Sequence, residues 1–290
     1  MKRIRITGPI VLTVLLAGGS AFAQRATPLA DNAALRYWAA FSVLQDAAIT
    51  DEQAKELNAA LDTLGPLEIS KYTELVHKNS LALNVMARGT SLPNCDWGLD
   101  YALAEDIPGE YVRKALVLGR LNILYAMQQY HAGDKDGAVR TLTAGLRFSR
   151  DVSNGGSLFA TLVAKNLLVT HLMAVSAGLR MGQLSASQQS QLQNAVTALG
   201  DGPDWAVSAR RDLEALRPHY ANDQQSAVAL NRIISSYTAY LNDPSKLPAL
   251  TDALNTAPPA LANLIPNPKR VLEQKQELAD KLQQTRGLLR

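Results

Sequence analysis

Cysteine is almost absent from this chain, which contains only Cys95 in 290 residues. An intrachain disulfide is therefore excluded, so the fold has to be stabilised by packing even in an oxidising compartment. A lone thiol is most often simply buried, and the alternatives are a reactive thiol or a bridge to another molecule.

The sequence also lacks the short motifs that mark common catalytic and metal sites. Its four histidines form no His-Glu-x-x-His pair and no spacing typical of zinc ligands. It contains no Gly-x-Ser-x-Gly elbow, and its paired glycines follow no predicted strand, as a phosphate-binding loop would. We therefore predict no metal, no cofactor and no catalytic residue that a motif identifies.

The N-terminal apolar run covers only residues 10–17, whereas a membrane span needs roughly 20 residues. Three basic residues precede this run, and Ala21-Phe22-Ala23 supplies the small side chains that signal peptidase recognises. We expect residues 1–23 to be a signal peptide that is cleaved after Ala23. The mature protein would then begin at Gln24, in the periplasm or outside the cell, without a membrane span.

An excess of positive charge is missing once the leader is removed. The whole chain has 29 Lys and Arg and 26 Asp and Glu. Because residues 1–23 hold three basic residues and no acidic one, 26 of each sign remain and the formal net charge is zero. Nucleic-acid binding needs a clustered positive surface, so we predict no nucleic-acid partner.

Helical periodicity dominates the chain after the leader, without the alternation that predicts a strand. Thr50 with Gln53, and Ser185 with Gln188, have the spacing of a capping box at a helix start. A further helix is expected over residues 66–88.

The clearest pattern is an apolar stripe over residues 112–130 and a second over 138–149, separated by Gly133-Asp134. This pattern predicts an antiparallel helical hairpin, in which Ala138 and Gly145 allow the two helices to approach closely. The small residues and the Gly-Asp turn resemble a tetratricopeptide-type unit. The predicted fold class is all-α, with stacked antiparallel helical hairpins in a tetratricopeptide-like array of irregular repeats.

A wider resemblance rests on three pieces of sequence, which are Arg36-Tyr37-Trp38, Cys95-Asp96-Trp97-Gly98-Leu99-Asp100-Tyr101 and residues 133–150. In this order the pieces are similar to a group of uncharacterised exported bacterial proteins with helical, tetratricopeptide-like bodies. The resemblance covers most of the chain after the leader. It implies the fold and the compartment, and it carries no catalytic role over to any residue.

The chain divides into four expected segments, which are a signal peptide (1–23), a helical-hairpin body (24–243), a Pro-rich connection (244–268) and a charged C-terminal helix (269–290). Within the body, a long helix ending near Arg180 is apolar on nearly every side, which is typical of the centre of a helical array. Prolines predict a loosely ordered connection. The last helix is expected either to dock on the body or to pair with another chain.

One candidate binding site consists of Asp96, Trp97, Asp100 and Tyr101. Two carboxylates beside aromatic rings suit a sugar, a cation or a basic peptide, and paired carboxylates also serve glycoside hydrolysis. The structural alternative, which we favour, is that Trp97 fills the core while the aspartates cap helices.

A second candidate site consists of Lys165, Asn166 and His171, which interrupt the long apolar helix. Polar groups on a buried helix need partners, so these residues could line a groove and contact a ligand. The structural alternative, again favoured, is that Lys165 extends to solvent while the other two form hydrogen bonds inside the protein.

The leading functional hypothesis is an exported protein that binds a protein or peptide partner in the cell envelope. Stacked-helix bodies present extended binding surfaces, and no catalytic motif is recognisable. One alternative is a hydrolase that acts on an envelope or extracellular polymer through the carboxylates near Trp97. Another is a structural subunit of an envelope assembly.

Overall fold

A computed structural model describes residues 31–45, 49–63, 68–99, 109–181 and 184–290. The signal peptide expected over the first 23 residues lies outside these ranges. The described residues form 13 α-helices, a few short 3-10 turns and no β-strand. The prediction of an all-α fold is therefore confirmed.

The helices, in chain order, are α1 (Ala33–Ser42), α2 (Asp51–Thr63), α3 (Thr73–Lys78), α4 (Ser80–Gly89), α5 (Glu110–His131), α6 (Lys135–Ser153), α7 (Leu158–Arg180), α8 (Ala186–Thr197), α9 (Trp205–Glu214), α10 (Gln224–Asn242), α11 (Leu247–Asn255), α12 (Pro259–Ala262) and α13 (Pro268–Leu288).

Helices α5 and α6 pack closely along each other and are joined by only three residues, so they run antiparallel. The turn works because Gly133 has a φ of 80°, a left-handed conformation that favours glycine. Asp134 then caps α6, since its Oδ1 accepts a hydrogen bond of 2.8 Å from the backbone N–H of Gly137. This hairpin lies where the sequence predicts it.

Helix α7 is the centre of the molecule and packs against α2, α5, α6, α9 and α13. Among the described residues it is the one helix long and apolar enough to cross a membrane, with a mean hydropathy of 1.6. Most of its apolar window is buried inside the protein, and the other helices account for that burial. Its composition is thus that of a core helix.

Two hydrophobic cores lie along α7 and are bridged by α13. The first contains residues of α1 to α8 together with Leu278 and Leu282 of α13. The second contains residues of α9 to α12 together with Leu158 of α7 and Val271 of α13. The apolar stripe of the C-terminal helix is therefore docked on the body, which is one of the two arrangements expected for it.

Both predicted capping boxes are present. Thr50 N donates to Gln53 Oε1 at 2.9 Å, and Gln53 N donates to Thr50 Oγ1 at 3.2 Å. The same reciprocal pair joins Ser185 and Gln188 at the start of α8. Each box satisfies backbone donors that a helix start would otherwise leave unpaired.

The helix expected over residues 66–88 is divided, and the break falls at Asn79. This residue is fully buried, and its side-chain Nδ2 donates to the carbonyl oxygens of Leu75 at 2.9 Å and Gln45 at 3.0 Å. Its Oδ1 accepts from Gln45 N at 2.8 Å. Asparagine forms such side-chain bonds to the main chain at helix ends, so α3 stops here and α4 begins.

The proline-rich segment 244–268 was expected to be loosely ordered, but it contains α11 and α12. Four of its prolines stand in the first turn of a 3-10 or α-helix, where a missing N–H leaves no helical hydrogen bond unmade, and these are Pro244, Pro248, Pro259 and Pro268. Leu250 and Leu261 are fully buried in the second core. Proline therefore starts helices in this segment rather than preventing them.

Candidate functional site

Trp97 fills the core between α1 and α5, with 4 % of its surface exposed. Its ring centroid is 4.6 Å from that of Tyr111 and 5.7 Å from that of Tyr37, and it stacks on Phe41 at 6.0 Å. Its Nε1 donates to the carbonyl oxygen of Asp151 at 2.8 Å. The indole faces therefore contact protein and offer no stacking platform for a sugar.

Asp96, in contrast, is exposed, and its Oδ1 accepts a hydrogen bond of 2.9 Å from Gly98 N. Its main chain is held by the side chain of Asn32, which donates to Asp96 O at 2.7 Å and accepts from Asp96 N at 2.9 Å. Asp100 and Tyr101 lie outside the described residues. A carboxylate pair formed by Asp96 and Asp100 thus stays a prediction.

Beneath Trp97 lies a buried carboxylate, Asp151, that sequence reasoning did not single out. Its Oδ2 accepts from Tyr37 Oη at 2.8 Å and from Arg147 Nε at 3.1 Å, while its Oδ1 lies 3.5 Å from Arg150 Nη2. Burial, followed by the charge of Asp151, raises the pKa of Tyr37 above its ordinary range, so the phenol stays a hydrogen-bond donor. The i, i+4 spacing of Arg147 and Asp151 was the only signal in the sequence.

Cys95 belongs to the same cluster and is half-buried. Its Sγ donates to the carbonyl oxygen of Asp151 at 3.7 Å. Burial raises the pKa of the Cys95 thiol above its ordinary range, and the Asp151 carboxylate adds to the shift. A nucleophilic cysteine needs its thiolate form, so this environment maintains an unreactive thiol.

Lys165 and Asn166 line a cavity of about 400 Å³ between α2, α5, α7 and α13. Lys165 is 3 % exposed and does not extend to solvent, because Nζ donates to Gln274 Oε1 at 2.9 Å and to Glu277 Oε2 at 2.5 Å. Asn166 is exposed. The structure therefore brings two of the three predicted residues of the second candidate site together, beside an acidic partner from α13.

His171 is separated from that cavity and is fully buried between α5, α6 and α7. Its Nδ1 is 2.8 Å from the carbonyl oxygen of Leu167 and 3.1 Å from Ser149 Oγ, and its Nε2 is 3.0 Å from Asn122 Oδ1. The Ser149 hydroxyl donates to Gly145 O at 2.7 Å. These hydrogen bonds hold α5, α6 and α7 together. The Ser149 hydroxyl is fully buried beside His171, so no substrate can reach it.

The buried imidazole makes the stability of the protein dependent on pH. Burial lowers the pKa of His171 to about 4, despite the opposing hydrogen bond to the Leu167 carbonyl. Since the unfolded side chain takes up a proton near pH 6.5, the unfolded state binds more protons between pH 6.5 and 4. Burial of the neutral His171 therefore leaves the free energy of unfolding undiminished above pH 6.5. This free energy falls by about 3 kcal/mol as the pH drops from 6.5 to 4.

Chemical denaturation of wild-type protein and of His171→Gln at pH 7 and pH 4.5 measures this effect. We expect the wild type to lose more stability than the variant between these two pH values. Asp212 affects stability in the opposite direction, because burial raises its pKa to about 6. Its contribution is the same in both proteins and therefore drops out when the two losses are compared. Equal losses in both proteins would contradict the buried neutral histidine.

A groove runs along α3, α4, α5 and α6, on a part of the surface that sequence reasoning did not single out. It consists of two adjoining cavities, of about 290 Å³ and 240 Å³, which share Leu83, Asn84 and Tyr125. On α5, Gln129 lines the larger cavity and Gln128 lines the smaller one. We refer to it as the amide groove, because four carboxamide side chains are among those that line it, namely Asn84, Asn122, Gln128 and Gln129.

One amide of this groove is unsatisfied. Gln128 Nε2 is buried and has no hydrogen-bond partner among the described residues. Gln129 differs, because its Oε1 accepts from Thr141 Oγ1 at 2.7 Å. A buried donor without a partner is energetically unfavourable. Because Nε2 is closed off from solvent, the Gln128 side chain would have to turn into the groove before a ligand could supply an acceptor.

Comparison with known proteins gives no functional assignment, because the chain matches no protein-family model, no curated protein and no solved structure at a significant level. Within the described ranges, no group of three or more His, Cys, Asp or Glu residues is placed to hold a metal ion.

Proposed function

We propose that this protein is an exported, tetratricopeptide-like stack of helical hairpins that binds a protein or peptide partner in the cell envelope through the amide groove. The observation that carries the proposal is the pair of adjoining cavities and the four carboxamide side chains that line them. Export follows from the leader expected over residues 1–23.

The side chains of the amide groove match the chemistry of a peptide main chain. A carboxamide both donates and accepts, so Asn84 and Gln129 can pair with a peptide C=O and N–H together. Leu83 and Val76 provide an apolar floor for side chains of the partner. Arg140 adds a cation at one end, which favours an acidic residue or a chain terminus.

Affinity capture from native envelope extract tests this proposal with matched variants as bait. Asn84 and Arg140 are exposed in the groove, so their replacement by Ala should cost little stability. We expect Asn84→Ala and Arg140→Ala to reduce recovery of a stoichiometric partner by about tenfold each, which corresponds to one or two lost polar contacts.

Arg88→Ala is the matched control, because Arg88 is an exposed arginine on α4 that does not line the groove. It should recover the partner as the wild type does. Equal losses with Arg88→Ala and Arg140→Ala would show a nonspecific charge effect. Full recovery with both groove variants would place the partner on another surface.

A further inference from the structure

A cavity of about 400 Å³ between α2, α5, α7 and α13 has a buried lysine in its wall. Its volume is within the range typical of pockets for small molecules. Lysine is almost never fully buried unless it is paired, and Lys165 is only 3 % exposed. The hydrogen bonds of this ammonium group therefore indicate what the cavity can bind.

The ion pair between Lys165 and Glu277 leaves one bonding position unused on each partner. Lys165 Nζ donates to Gln274 Oε1 at 2.9 Å and to Glu277 Oε2 at 2.5 Å, which engages two of its three N–H groups. Within the described ranges, neither the third N–H nor Glu277 Oε1 has a hydrogen-bond partner. Since both residues line the cavity, it offers a charged donor beside a charged acceptor.

A small zwitterion can bond to both of these groups without breaking the ion pair. In a free α-amino acid one Cα separates the ammonium from the carboxylate, so the nitrogen and the nearer oxygen are roughly 2.7 Å apart by standard bond lengths and angles. This spacing is close to the 2.5 Å between Lys165 Nζ and Glu277 Oε2. The ligand carboxylate can therefore accept from Lys165 while the ligand ammonium donates to Glu277, and such charge-assisted bonds are the strong ones.

Two carboxamides near the ion pair indicate the side chain of the ligand. Asn58 of α2 and Asn166 of α7 both line the cavity. Thr170 Oγ1 donates to Asn58 Oδ1 at 3.3 Å, whereas the Asn58 NH₂ and the Asn166 carboxamide have no partner in the part of the chain that the structure describes. A carboxamide both donates and accepts, so these two side chains suit a polar, uncharged group.

We propose that this cavity binds a free α-amino acid with a carboxamide side chain, of the chemical class of glutamine. Its carboxylate bonds to Lys165, its ammonium bonds to Glu277, and its side chain bonds to Asn58 and Asn166. A peptide does not fit in the same way, because its two termini are at least one residue further apart and cannot both reach an ion pair in contact.

This site is separate from the amide groove. The described residues that line the cavity and those that line the groove have no member in common. Binding of an amino acid at Lys165 can therefore fail while the partner binding proposed for the groove holds, and the reverse is equally possible.

Isothermal titration calorimetry of the purified protein with L-glutamine tests the proposal. We expect glutamine to bind, and we expect glutaminamide, which lacks the carboxylate, and N-acetylglutamine, which lacks the ammonium, each to bind about tenfold more weakly. Glu277→Gln keeps an acceptor for Lys165 and removes the negative charge. This variant should weaken glutamine about tenfold and leave N-acetylglutamine unchanged, and it should fold because the Glu277 side chain is 53 % exposed.

Glu273→Gln is the matched control, because Glu273 is an exposed glutamate of α13 that is not among the described residues lining the cavity. It should bind glutamine as the wild type does. Absence of glutamine binding would overturn the proposal. Equal affinities for glutamine and N-acetylglutamine, for glutamine and the dipeptide Gly-Gln, or for the wild type and Glu277→Gln would also overturn it.

Discussion

Replacement of Asp151 by Asn is expected to lower the free energy of unfolding by about 3 kcal/mol. Oδ2 accepts hydrogen bonds from Tyr37 and Arg147, while Oδ1 lies within 3.5 Å of the Arg147 and Arg150 guanidinium groups and accepts no hydrogen bond from a described residue. The amide NH₂ of Asn has to face one of these donors, because Asp151 is completely buried. Thermal unfolding should show a fall of roughly 10 °C for a chain of this size.

Asp136→Asn is the matched control for this prediction. Asp136 is also on α6 but is exposed, where it accepts a hydrogen bond of 2.6 Å from Gln188. Its replacement should change stability by less than about 0.5 kcal/mol. If both variants unfolded at the same temperature as the wild type, Asp151 would not stabilise the core next to Trp97.

Replacement of Gly145 by Ala is expected to destabilise the protein on the order of 4 kcal/mol, through overpacking and broken hydrogen bonds. A Cβ at this position would lie 2.2 Å from both Asn122 Oδ1 and His171 Nε2. Those two side chains are fixed between α5 and α7, so the three helices would have to separate. Urea denaturation of the purified variant measures the loss.

The control for Gly145→Ala is Gly287→Ala, which makes the same change in another helix. A Cβ at Gly287 would meet nothing within 4 Å, and the residue is exposed on α13. Because alanine is the better helix former but Gly287 stands in the last turn of α13, we expect this variant to change stability by less than about 0.5 kcal/mol. Losses of similar size at both positions would show that helix packing at Gly145 is not the cause.

Much of the fold could be predicted because it depends on local spacing. The apolar stripes of α5 and α6, the Gly133-Asp134 turn and the capping boxes each involve residues within a few positions of one another. The break at Asn79 was not predictable in this way. Its side chain bonds to Gln45, 34 residues earlier, and no periodic pattern encodes that contact.

The site residues were harder to predict, because their roles depend on partners that are distant in sequence. Lys165 could be recognised as a buried charge that needs a partner, but Glu277 lies 112 residues away. Asp151 is 114 residues from Tyr37, which supplies one of its donors. The sequence suggested that His171 and Lys165 belong to one site, but the two side chains leave α7 in different directions. Lys165 reaches Glu277 on α13, whereas His171 is buried against α5 and α6.

The central claim, that the amide groove binds an envelope partner, is tested most directly by photo-crosslinking in cells. A photoreactive residue at Asn84 samples the groove, and one at Val228, which is 63 % exposed on α10, samples a distant surface. We predict that illumination produces a discrete adduct with one envelope protein from position 84 and none from position 228. No adduct at position 84, or the same adducts from both positions, would contradict the account.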